Sequence, residues 1–297
     1  MENKALIIIN PTSGTKRANK YLTDIVEILI AGGYVPTVLA TTKRGDGTAY
    51  AKAYARKMDL VVCIGGDGTF NEVTYGVLQS GVRVPIGYIP AGSTNDFANS
   101  LHLSKGIVHA AKDIIHGEPV AFDIGSFNGR IFSYVASFGA FTKASYATPQ
   151  NVKNALGHLA YILGGINSIS SIRAEHMIVE ADGMKYEGDY LFGAISNSTS
   201  IGGILTLKPE LVDMSDGNFE LLLIKSPRDL IELAEIVHLL TTQNYESEMI
   251  TFINASEFSI HASKDTSWTL DGEYQEGEEE IKVKNLHHAI DLMMDGR

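Results

Sequence analysis

The residues with the clearest capacity for chemistry are the acid and glycines of Gly65-Gly66-Asp67-Gly68-Thr69. An apolar run, Leu60 to Ile64, leads into them, and Phe70, Val73, Val77 and Leu78 follow at helical spacing. That change of period predicts a buried strand, a tight turn and the start of a helix. Such a turn offers backbone N–H groups at the positive end of a helix dipole, a combination that binds phosphate. Glycine suits it because a Cβ would hold a phosphate oxygen off the backbone. A carboxylate here repels phosphate unless a divalent cation or its waters intervene, so Asp67 points to Mg²⁺ with a nucleotide di- or triphosphate. The competing reading of Asp67 is an N-cap.

Two further stretches have the same grammar. Asn10-Pro11-Thr12-Ser13-Gly14 follows the apolar run Lys4 to Ile9; Asn10, Ser13 and Gly14 can donate to phosphate or ribose, and Lys16 with Arg17 could neutralise a triphosphate. Pro90-Ala91-Gly92-Ser93-Thr94-Asn95-Asp96 follows Val84 to Ile89 and again ends on an acid that opens a helix. Thr41 supplies a hydroxyl at the end of the strand Tyr34 to Ala40. Ligands of open α/β sheets sit beyond the carboxyl ends of the strands, so these loops should share one crevice. Gly66 to Thr69 would hold phosphate there, with Asp67 and Asp96 organising metal and water.

The second half has two acidic clusters. Leu211 to Asn218 crowds Asp213, Asp216 and Asn218 into a turn that suits a hard cation, or is a plain Asp-Gly turn. In Thr269-Leu270-Asp271-Gly272-Glu273 the glycine permits a sharp bend that can aim Asp271 and Glu273 at one place. Phosphorylating an alcohol needs a carboxylate to accept its proton, and Glu273 is the candidate; a hairpin with exposed acids is the alternative.

Elements must position these groups. Residues 4–124 alternate apolar runs with helical periodicity, which predicts an α/β domain with a doubly wound parallel sheet. From 125 to 284 period-2 runs dominate, with Asp182-Gly183 as a hairpin signal, so a mainly antiparallel β-sandwich domain is expected. Helical segments are expected at Val152 to Ile166, whose apolar face is core or an acyl-chain cleft, and at Pro227 to Leu240. The tail 285–297 has Ala289, Ile290, Met293 and Met294 at mixed helical spacing.

Composition narrows the classes. Across 297 residues the net charge is −11, which disfavours nucleic acid as a partner and a polybasic membrane anchor. Cys63 is the single cysteine and falls inside a predicted strand, so neither a disulfide framework nor a thiolate metal site is available. The apolar run after Met1 is too short for a signal peptide and no stretch reaches transmembrane length, so a cytoplasmic protein is expected, one that meets any lipid from the membrane surface. The histidines form no metal-ligand spacing.

Gly-Gly-Asp-Gly-Thr with Phe70-Asn71-Glu72-Val73 directly after it resembles the signature of diacylglycerol and sphingosine kinases, and is similar in particular to bacterial diacylglycerol kinases. In NAD kinases the Asn-Glu pair lies well downstream. The resemblance continues through Asn-Pro-x-Ser-Gly, Pro-x-Gly-x-x-Asn-Asp, the Asp-Gly turn and Asp-Gly-Glu. It implies an ATP-dependent lipid kinase that phosphorylates a lipid hydroxyl, foremost that of diacylglycerol, at the membrane surface. It also implies nucleotide contacts at Asn10 to Gly14, Thr41, Gly65 to Thr69, Asn71, Glu72 and Gly92 to Asn95. A Mg²⁺ site at Asp216 with Asp213 and Asn218, a proton-accepting Glu273, and a carboxyl-terminal tail that returns to the first domain complete the implied set. Ser93 and Asn99 replace the family's threonine and arginine. A homodimer is among the assemblies this leaves open. The rivals are a kinase of a soluble acceptor such as NAD and a nucleotide sensor without turnover.

Overall fold

The computed structural model describes residues 2–14, 17–139, 174–201 and 205–296. The helix expected at Val152 to Ile166 and Lys16 lie outside the described residues. The chain divides into two compact units, Met1–Asp123 with His288–Arg297, and Ile124–His287.

The first unit is built on parallel strands β1 (Asn3–Ile9), β2 (Tyr34–Ala40), β3 (Leu60–Gly65) and β4 (Ile86–Pro90). β1 lies between β2 and β3, and β4 joins the far side of β3. Helices α1 (Leu22–Ala31), α2 (Asp46–Tyr54), α3 (Asp67–Ser80), α4 (Asp96–Ser100) and α5 (Ile107–His116) connect or follow these strands. β3 is buried at every position, as a strand covered on both faces must be. Ile7, Ile9, Val62 and Ile64 form one core with Ile25 and Leu29 of α1 and Ala110 and Ile114 of α5. Alternation sends Ile8 and Cys63 to the other face.

The second unit is almost entirely antiparallel. β5 (Glu118–Phe127) enters it and pairs with β6 (Arg130–Phe132). Strands β7 (Val135–Gly139), β8 (Glu175–Ala181) and β9 (Met184–Ser196) follow, with β8 and β9 joined through Asp182-Gly183. A short pair, β10 (Ser200–Ile201) and β11 (Leu205–Thr206), precedes β12 (Phe219–Lys225). Helix α6 (Leu230–Thr242) leads to β13 (Ile250–Ala255), β14 (Glu257–Ala262), β15 (Trp268–Leu270), β16 (Glu273–Gln275) and β17 (Glu280–Met294). β16, β15, β7, β9, β8, β14 and β17 are neighbours in that order, and β12 adds to β9 and carries β13. Their inward residues, among them Phe127, Phe132, Phe138, Phe219, Phe258 and Trp268, make one core.

Two local expectations change. α6 begins at Leu230 and not at Pro227, because the Asp229 carboxylate caps it by accepting the N–H groups of Ile231 and Glu232, both at 2.9 Å. The carboxyl-terminal segment with mixed helical spacing is a strand. The pairing of β17 with β5 and, at Leu292↔Ile86, with β4 overrides that weak spacing, and Ile290 and Leu292 bury at period 2.

Candidate active site

Three loops interlock at the carboxyl ends of β1, β3 and β4. The Ala91 N–H donates to the Gly65 carbonyl at 2.7 Å, and the Asn10 N–H to the Ile64 carbonyl at 2.9 Å. The Asn10 amide donates to Thr69 Oγ1 at 3.1 Å, and the Gly66 N–H to Ser13 Oγ at 3.2 Å. Thr12 donates its N–H and hydroxyl to Asn10 Oδ1. Asn95, at φ 53°, folds back so that its Oδ1 accepts the Gly92 N–H at 2.8 Å while its Nδ2 reaches the Gly92 carbonyl. The glycines are required by contact: a Cβ on Gly92 would stand 2.6 Å from Gly66 Cα, and one on Gly14, at φ +50°, 2.5 Å from the Ala91 carbonyl oxygen.

The N-terminus of α3 emerges within this knot. Its N-cap is Gly66, a residue that offers no side-chain cap. A 14-residue helix thus turns its positive end toward glycine backbone, which fits an anionic phosphate. Asp67 does not oppose that charge in the way its place in the sequence suggests. Its Oδ2 accepts the Asp96 N–H at 3.1 Å and the Thr94 hydroxyl at 3.4 Å, and its Oδ1 accepts the Phe97 N–H at 3.3 Å. The carboxylate therefore caps α4 and ties two phosphate-loop candidates together. Burial raises its pKa, against the pull of those donors. Asp96 takes part through its backbone, donating to Asp67 and accepting the Ser100 hydroxyl. Asn99, which stands where the family has arginine, donates to the Thr94 carbonyl at 2.8 Å and closes the loop from within. Ser93 is exposed.

Thr41, half-buried, follows β2 and donates its N–H to the Ile9 carbonyl. Glu72, grouped with the nucleotide contacts on sequence, has its carboxylate engaged by the backbone N–H groups of Gly45 at 2.8 Å and Gly47 at 3.0 Å. It braces the chain between β2 and α2. Asn71 is half-buried in the first turns of α3.

In the second unit, Asp271 and Gly272 take φ 50° and 80° and form the tight turn between β15 and β16. The Asp271 carboxylate is buried and accepts the N–H groups of Ser133 at 2.6 Å, Tyr134 at 3.0 Å and Val135 at 3.1 Å. With its oxygens held this way, Asp271 organises the approach to β7. Glu273, two residues on, has a side chain 43% exposed and an ion pair with Arg130 at 2.9 Å. Arg130 also donates to Gln275 Oε1 at 2.8 Å. Asp213 and Asp216 each use one oxygen within their own turn, on Ser215 and on the Asn218 N–H. Both acids are exposed, and the Asn218 carbonyl accepts the Asn285 amide. Next to this turn Glu220 is 1% exposed and neither carboxylate oxygen has a hydrogen-bond partner among the described residues. Burial pushes its pKa up to about 8, and the charges of Asp216 and Asp213 add to the rise. Among the described residues these three acids are not drawn into a single ligand set.

Residues 4–127 match the model of the diacylglycerol kinase catalytic domain, and residues 135–294 match that of the YegS C-terminal NAD kinase beta sandwich-like domain. A curated diacylglycerol kinase from Bacillus subtilis is 35% identical, with 98% of this chain and 96% of that protein covered. The chain belongs to the diacylglycerol kinase family. A Staphylococcus aureus diacylglycerol kinase is 32% identical over 98% of this chain and 92% of its own length. The crystal structure of a proposed diacylglycerol kinase from Bacillus anthracis superposes with a TM-score of 0.82 at 25% identity, covering 99% of this chain and 96% of that one.

Membership in the diacylglycerol kinase family makes the chain a lipid kinase, and kinases of this family use ATP. No helix among the described residues is long and apolar enough to cross a membrane. Residues important to a diacylglycerol kinase fold escaped the sequence reading. Arg130 carries no motif signal, and Asp46, Ser133 and Glu220 reveal themselves only through burial and partners.

Proposed function

We propose that the chain transfers the γ-phosphoryl group of ATP to the free hydroxyl of diacylglycerol, giving phosphatidic acid. The observation that carries this is the α3 N-terminus set in three interlocked glycine loops, in a chain of the diacylglycerol kinase family. Backbone N–H groups of Gly68 and Thr69, with Ser13 and Asn10, would hold the phosphates, and Thr41 with Ser93 and Thr94 would contact the rest of the nucleotide. Mg²⁺, when bound, would supply positive charge to the transferring phosphoryl group. Asp96 is the residue of the first unit that would hold it, since Asp67 is engaged in capping α4. Asp213, Asp216 and the Asn218 carbonyl would hold a second, structural ion.

Glu273 accepts the proton of the attacking hydroxyl in this reading; it is exposed enough to meet a substrate, and Arg130 fixes one of its oxygens. The enzyme would work from the cytoplasm and visit the bilayer surface peripherally to reach its lipid; a homodimer is the assembly proposed for it. The test is a panel of lipid and soluble acceptors, NAD included, with labelled ATP and Mg²⁺ in mixed micelles. Label that partitions into organic solvent only with diacylglycerol supports the proposal. Label that follows NAD, or turnover that survives Glu273→Gln, refutes it.

A further inference from the structure

Glu72 lies in the signature that follows the glycine turn, yet its side chain serves another part of the first unit. Its two carboxylate oxygens each accept one backbone N–H, Oε1 from Gly45 and Oε2 from Gly47, on either side of the first residue of α2. Gly45, at φ 88°, is the N-cap of α2 and can offer no side chain of its own. Glu72 therefore caps that helix from α3, with its charge placed at the positive end of the α2 dipole. Its backbone carbonyl accepts the Thr48 hydroxyl at 2.9 Å. The fit is close: a Cβ on Gly47 would lie 2.9 Å from Glu72 Oε2, and one on Gly76 2.5 Å from the Thr48 carbonyl oxygen.

The segment so anchored is tied in turn to the loop after β2. The buried Asp46 carboxylate accepts the Thr42 N–H and Thr42 hydroxyl, both at 2.8 Å, and the Lys43 N–H at 3.0 Å. Backbone and hydroxyl donors at Thr42 hold that carboxyl below its usual range. An unbroken series of hydrogen bonds thus runs from α3, whose first turn is the phosphate-binding candidate, through Glu72, Gly45 to Gly47 and Asp46 to the residues beside Thr41.

We infer that Glu72 is a positioning residue that sets the Thr41–Lys43 loop at a fixed distance from the glycine turn, so that one nucleotide reaches both. The inference rests on the reading of Thr41 as a nucleotide contact and deepens it. A ligand that spans both places needs the clamp; one made of phosphate alone does not. Misplacing a contact by about 1 Å costs up to about a hundredfold in rate or binding, so losing one such contact is expected to cost about tenfold.

The experiment compares the KM for ATP with the inhibition constant of inorganic tripolyphosphate in wild type, Glu72→Ala, Glu72→Gln, Asp46→Asn and Thr41→Val, with melting temperatures for each. Glu72→Ala should raise the KM for ATP about tenfold, hold kcat within about twofold, and leave tripolyphosphate inhibition unchanged. Glu72→Gln keeps one acceptor oxygen and should fall between; with Asp46→Asn it carries the test if the alanine variant does not fold. An unchanged KM in the Glu72 variants beside a raised one in Thr41→Val overturns the clamp and leaves the nucleotide reading intact. Unchanged values in both sets overturn the nucleotide reading of the loop and the clamp with it. Equal losses for ATP and tripolyphosphate overturn the clamp too, because Glu72 would then be supporting the whole of α3.

Discussion

Two hairpins of the second unit share a turn and differ in what surrounds it. Asp182-Gly183 joins β8 to β9 with φ 50° and 76°, and Asp271-Gly272 joins β15 to β16 with φ 50° and 80°. The backbone solution is the same, a two-residue loop that needs φ > 0 twice. Asp182 is exposed, whereas the Asp271 carboxylate is buried against three N–H groups. Two residues after each aspartate stands Met184 in one hairpin and Glu273, paired with Arg130, in the other. The dipeptide specifies the bend, and tertiary surroundings decide whether the bend carries chemistry.

The comparison breaks most sharply at Glu273. Glu273→Gln keeps the size and one acceptor but cannot take a proton, so kcat should fall by roughly 10²- to 10⁴-fold with the melting temperature unchanged. Steady-state kinetics beside thermal melts check this, and a kcat near wild type would reduce the second hairpin to the status of the first. The next largest effect belongs to the aspartates themselves. Asp271→Ala leaves three N–H groups at a buried site without their charged acceptor and should cost about 3–5 kcal/mol in chemical denaturation. Asp182→Ala should stay within about 0.5 kcal/mol of wild type, as surface changes do. Equal costs would mean that burial does not distinguish the two turns.

The first unit repeats the lesson with glycine. Gly33 and Gly92 each stand in a loop, but a Cβ on Gly33 meets nothing within 4 Å, whereas one on Gly92 meets Gly66 Cα at 2.6 Å. Gly92→Ala should therefore push the two glycine loops apart and lower kcat/KM for ATP by about a hundredfold, read by varying ATP at saturating lipid. Retained affinity would show that the loops tolerate separation and that their contact does not shape the site.

Much of this was legible in the residues. The strand-turn-helix at Gly65 to Phe70 follows from a change of period, and β2 from Tyr34 to Ala40 from turn residues at both ends. The placing of side-chain charge was not. Asp67 sits in the signature as a metal-organising acid would, yet its oxygens reach the N–H groups of Asp96 and Phe97, which lie 29 and 30 residues away in sequence. No local pattern records a partner at that separation. The last part of β17, to Met294, was hidden for the same reason, since β4, with which Leu292 pairs at Ile86, is far along the chain. Arg130 falls in an unremarkable stretch and acquires meaning only when β6 stands beside the Glu273 hairpin.

Glu220 extends the comparison to a carboxyl group with no hydrogen-bond partner among the described residues. Asp271 has three donors, Glu273 has a guanidinium, and Glu220 is buried between its cross-strand neighbours Ser196 and Asn254 with neither oxygen bonded. Burial pushes its pKa up to about 8, above the ordinary carboxyl value of 4.5. The neutral form is thus the one the fold favours, and its contribution is fully present below pH 4.5 and lost as pH rises through about 8. In metal-free buffer the protein should lose on the order of 2–3 kcal/mol between pH 6 and pH 9 from this group. Glu220→Gln, a permanent mimic of the protonated side chain, should flatten that part of the profile and be the more stable protein at pH 9. Urea denaturation at both pH values decides it. A variant whose profile still falls in parallel with wild type would show that Glu220 is solvated or paired in solution, and that its isolation from Asp271's kind of donor set is not what governs its charge.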